Sequence, residues 1–142
     1  MADSSVTFRD LLRGTAQALP TTASPNDPSV NRALVLAAHA ATATADGPAI
    51  QDWAAYGDAL QHAIDVLHPD MNGEGTFVDD LPVAGPDKIE LRCAAVELVR
   101  HLADLHATAA ADAIDCSEQG AIWSQVAHYL ADAAAELGFA FA

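Results

Sequence analysis

Three groups of residues carry types and spacings that could do chemistry. The first is the run Asp70-Met71-Asn72-Gly73-Glu74-Gly75-Thr76-Phe77-Val78-Asp79-Asp80-Leu81, which sets oxygen donors at alternate positions. Hard oxygens at that spacing, with a glycine for the sharp turn, suit Ca²⁺, which gathers several of them at once. The second is Arg100 with His106, a guanidinium for a phosphate and an imidazole for proton transfer. The third is Glu97, His101 and Asp104, whose spacing puts two carboxylates and an imidazole on one side of a helix. Such a donor set suits a transition metal.

Each group also has an ordinary account. The 70–81 run resembles an EF-hand calcium loop, with donors at Asp70, Asn72 and Glu74, the turn glycine at Gly75 and an apolar Phe77. It departs from that pattern where a bidentate Glu belongs, because Leu81 stands there, with acids at Asp79 and Asp80 instead. Leu81-Pro82-Val83-Ala84-Gly85 also cannot form the exit helix. The cation reading therefore names Asp70, Asn72, Glu74, Asp79 and Asp80, and competes with a solvated acidic loop. Arg100 and His106 resemble the R-x4–6-H motif of HEPN ribonucleases, which are all-α and often dimeric. That resemblance implies a His–Arg pair acting on an RNA phosphate across a dimer cleft; the competing account is a surface Arg and a helix-flank His. Glu97, His101 and Asp104 fall opposite the leucine seam of their helix, so a solvated face is expected. No glycine-rich phosphate loop, nucleophile elbow or Cys-x-x-Cys occurs. No cofactor is expected.

Composition narrows the choice. Of 142 residues, 33 are Ala and 15 are Asp, against five Arg and one Lys, for a formal charge of −14. Phosphate binding needs the opposite sign, so neither nucleic acid nor an anionic membrane surface is an expected partner. At 51% hydrophobic, the chain is too apolar for a disordered acidic tail. The alanine content, with Arg over Lys, fits a high-GC bacterial genome. The longest strongly apolar stretch, Ala33 to Ala38, is far too short to span a bilayer. Met-Ala-Asp-Ser-Ser lacks the layout of a secretion signal, so a cytoplasmic address is expected.

These side chains need helices to hold them. Proline and glycine divide the chain into a short amphipathic helix, Ser5 to Leu19, and four long ones. The second, Pro28 to Ala45, is apolar almost all round and starts with Asp27 as N-cap and Pro28 at the first helical position. The third, Pro48 to His68, places Ile50, Trp53, Tyr56, Gly57, Leu60, Ile64 and Leu67 on one face. The fourth runs from Pro86 to about Ile114, and the fifth from Glu118 to Leu137. His39, His62 and His128 fall on polar sides. Cys93 is expected buried, and too far from Cys116 to bridge to it. The expected fold is all-α: one helical-bundle domain over 1–142, four long helices plus a shorter N-terminal one, with no sheet. Residues 1–27 hold that first helix and its connector, and 69–85 a long surface loop of the kind that often carries function.

Val35, Leu36, Val66 and Val96 lie off the main seams, which calls for a further packing partner: the leading helix or a second copy. The sequence thus points to a non-enzymatic interaction or regulatory protein, a homodimer with a basic protein partner. The HEPN-like nuclease and the Ca²⁺ loop are the alternatives.

Overall fold

The computed structural model describes residues 8–19, 27–42, 47–67, 89–113 and 118–138. Five α-helices account for nearly all of them: α1 (Phe8–Ala18), α2 (Pro28–His39), α3 (Pro48–Leu67), α4 (Ile89–Asp112) and α5 (Glu118–Gly138). No strand occurs among the described residues. The chain is an all-α bundle, and no helix among those residues is long and apolar enough to cross a membrane.

Local chemistry sets the helix boundaries. Asp27 caps α2, its carboxylate accepting from the Ser29 amide at 2.9 Å and the Ser29 hydroxyl at 2.8 Å. Both bonds hold its pKa below the ordinary carboxylate value. Pro28 follows at the start of the helix, where its missing N–H leaves nothing unsatisfied. The α-helix ends at His39, earlier than the alanine run suggests, and tightens into a 3₁₀ turn over Ala40–Thr42. There the Thr42 hydroxyl donates to the His39 carbonyl, the kind of local bond by which Thr competes with helical pairing. Gly47, at φ 61°, turns the chain into α3 with a backbone angle that costs glycine little.

Contacts between helices fix their directions. Arg9 of α1 reaches Glu90 of α4 at 4.0 Å, and His101 of α4 bonds the Leu19 carbonyl. Ten residues along α1 thus match eleven along α4, so these two helices run parallel. A link over 113–117 joins α4 to α5, which pack along each other as an antiparallel hairpin. Asp52 of α3 meets Arg92 of α4, and His62 of α3 stacks on Tyr129 of α5. At 1.5 Å per residue, His62 stands about 15 Å above Asp52, close to the height of Tyr129 above Arg92. α3 therefore runs parallel to α4.

That direction explains the long connection after α3. Leu67 and Ile89 lie near opposite ends of the bundle, about 27 Å apart along its axis by helical rise. Residues 68–88 must return the chain over that distance, which takes about eight residues even fully extended. A short turn cannot do this. Topology thus sets a lower bound of about eight residues on the connection after α3, and the 69–85 segment expected as a surface loop lies outside the described residues.

The core is built mainly from leucine and alanine. Leu12, Leu34, Leu60, Leu98, Leu102, Leu105, Leu130 and Leu137 are wholly buried, with Trp53 and Tyr56 among them. Tyr56 satisfies its buried hydroxyl by donating to the Ala37 carbonyl of α2. Burial pushes its pKa far above that of an ordinary phenol. At Gly57, an added Cβ would stand 3.0 Å from the Ala41 Cβ, so small residues let α3 and the 3₁₀ turn approach closely. Leu36 and Val96, two of the four off-seam apolar residues, are buried within the single chain, and α1 lies along α4. Burial of these two within one chain means that neither needs a second copy to cover it.

Two expectations about faces fail. Ile50, placed on the core face of α3, is 54% exposed in the first turn of that helix. Cys93 is exposed, since its position on α4 points away from α1, α2 and α5.

Candidate functional site

The outer face of α4 carries most of the chemistry-bearing side chains. Cys93, Val96, Glu97, Arg100, His101 and Asp104 line an open groove of about 520 Å³. The Glu97 and Asp104 carboxylates face solvent. His101 does not: it is half-buried, and its Nε2 donates to the Leu19 carbonyl at the end of α1. Terminal helix carbonyls lack partners within their own helix, so this imidazole caps α1 from the side. It leaves the expected solvated stripe and joins the packing. No group of three or more His, Cys, Asp or Glu side chains among the described residues is placed to hold a metal ion.

Arg100 and His106 part company. Six residues turn a helix by about 600°, which leaves their side chains about 120° apart. Arg100 lies exposed in the groove, whereas His106 has 0% of its surface exposed and sits in the core. Its Nδ1 donates to the Leu102 carbonyl at 2.8 Å. Burial lowers its pKa, opposed only in part by that bond. Within one chain the pair cannot meet one phosphate. Asp70, Asn72, Glu74, Asp79 and Asp80 lie outside the described residues, as does Cys116.

Two clusters escaped the reading of the sequence. Arg92 is buried, with 7% of its surface exposed, and its guanidinium meets Asp52 at 3.3 Å and lies 5.8 Å from the Trp53 ring. On the opposite flank, the His62 ring stacks on Tyr129 with 5.4 Å between centroids, and His128 approaches the same tyrosine. Gln125 donates to the Tyr129 hydroxyl and His128 pairs with Asp132, exposed and worth little energetically. Spacing within one helix shows which residues share a face. It does not show which faces of two distant helices meet, and both clusters join α3 to a later helix.

The electrostatics are one-sided. None of the twelve described carboxylates is buried, and only Asp52 and Glu136 are even partly covered. Glu90, Glu97 and Asp104 recur every seven residues along α4, forming a row on its outer side. Of the basic residues, Arg92 is committed to Asp52, and Arg9 to Asp10 and Glu90. The fold and this surface define an acidic helical bundle. No family model, curated protein or solved structure matches the chain.

Proposed function

We propose that this chain is a non-enzymatic interaction module whose acidic outer surface holds a basic partner protein. The observation that carries the reading is the placement of the carboxylates: all twelve described ones lie at or near the surface, with few cations among them. A surface so charged repels nucleic acid and steers a cationic partner toward it. His106, with 0% of its surface exposed, is out of reach of an RNA phosphate on the bundle's surface, so interaction remains the better account.

An arginine-rich peptide titrated into the protein tests this. Binding should weaken as salt rises, because exposed charge pairs are screened within about 10 Å at 0.1 M ionic strength. Reversing the α4 row with Glu97→Lys and Asp104→Lys should weaken it further. Binding that ignores both changes would remove the proposal. Self-association belongs to the same reading and draws on Ile50 and Ile89, exposed by 54% and 62% in the first turns of α3 and α4. Sedimentation equilibrium giving a monomer at high micromolar concentration removes the homodimer and leaves the basic partner standing.

A further inference from the structure

Two buried polar atoms in the α4–α5 hairpin have no hydrogen-bond partner in the chain: His106 Nε2 and Trp123 Nε1. Their chemistry is complementary. The Leu102 carbonyl can only accept, so the His106 proton sits on Nδ1 and leaves Nε2 as an acceptor. The indole Nε1–H of Trp123 can only donate.

Register brings the two together. In an antiparallel hairpin closed between Asp112 and Glu118, Val99 falls opposite Leu130 and Val96 opposite Ala134, and all four are buried. The same register, carried toward the turn, sets His106 opposite Trp123. Counted from the turn, the two stand about 9 Å and about 8 Å down their helices. An orphan acceptor and an orphan donor therefore share one layer of an otherwise apolar interface. Buried polar groups left without a partner are rare, and ordered water is the usual means by which such pairs are satisfied.

We infer that the His106–Trp123 layer is an internal binding site for one water molecule, which accepts from the indole Nε1–H and donates to the imidazole Nε2. The site fixes the imidazole as its Nδ1–H tautomer, held at one nitrogen by Leu102 and at the other by the water. It is independent of the acidic face.

Nuclear magnetic resonance on the full chain tests it directly. The Trp123 indole proton should show a cross-relaxation peak to a long-lived water, and the His106 nitrogens should report a proton on Nδ1 alone. No water peak, a proton on Nε2, or a direct scalar coupling between indole and imidazole would each overturn the site. A double-mutant cycle with His106→Leu and Trp123→Phe gives a second readout. Each single variant should lower the folding equilibrium constant roughly tenfold, since it strands the other partner. The double variant should lose clearly less than the two losses combined. Strict additivity would overturn the shared site, and if a variant fails to fold, the wild-type spectrum still decides.

Discussion

The Asp52 carboxylate meets the Arg92 guanidinium at 3.3 Å, joining α3 to α4 across a bundle in which those helices otherwise touch little. The pair is unequal, because the Arg92 side chain is 9% exposed and the Asp52 side chain 41%. Water already solvates much of the aspartate, so its charge screens the buried cation only in part.

Truncating the two residues should therefore have unequal costs. Asp52→Asn is expected to lower stability by about 1 kcal/mol, as a partly exposed charge pair is weakened. Arg92→Ala should cost more, roughly 2–4 kcal/mol, because packing over Trp53 goes with the ion pair. Arg92→Lys should recover little, since an ammonium does not reproduce a planar group lying over an indole. Urea denaturation midpoints check the order.

The same residue shows what the sequence concealed. The helices, the Asp27–Pro28 start of α2 and the leucine seam of α4 were legible, since local spacing and capping dictate them. Arg92 and His106 are both buried on α4, yet a pattern read for apolar residues passes over a buried cation and a buried imidazole. His101 looked like part of a solvated face because nothing in its own helix shows that α1 ends beside it. The 69–85 segment looked functional for its length. Those residues lie outside the described ones; the parallel course of α3 and α4, which no single helix discloses, requires only that the connection be at least about eight residues long.

Gly57 weighs two effects against each other. Alanine in a helix interior gains about 1 kcal/mol over glycine, but here its methyl would stand 3.0 Å from the Ala41 Cβ. Gly57→Ala is thus expected to be close to neutral, and Gly57→Leu strongly destabilising. In an Ala41→Gly background the obstacle is gone, so Gly57→Ala should then stabilise by about 1 kcal/mol relative to that background. Thermal unfolding of the four proteins in this cycle measures the coupling. Equal effects in both backgrounds would show that the close approach has no energetic consequence.

His106 makes stability depend on pH in a window the carboxylates do not share. Burial disfavours the imidazolium, so its folded-state pKa lies below the ordinary 6.5, with the bond to Leu102 acting the other way. The unfolded chain binds a proton near pH 6.5 while the folded chain resists it. Stability is therefore at its full value above that pH and declines as the pH falls below it, until the folded state also takes the proton. For a single proton the slope can approach about 1.4 kcal/mol per pH unit. Protonating carboxylates relieves the repulsion among the acids, but that acts nearer pH 4 and in the opposite direction. Urea midpoints for the wild type should thus fall between pH 7 and pH 5. In His106→Leu they should stay level over the same range, even if the variant is less stable throughout. A parallel decline in both proteins would assign the pH dependence to other groups and leave His106 a passive member of the core.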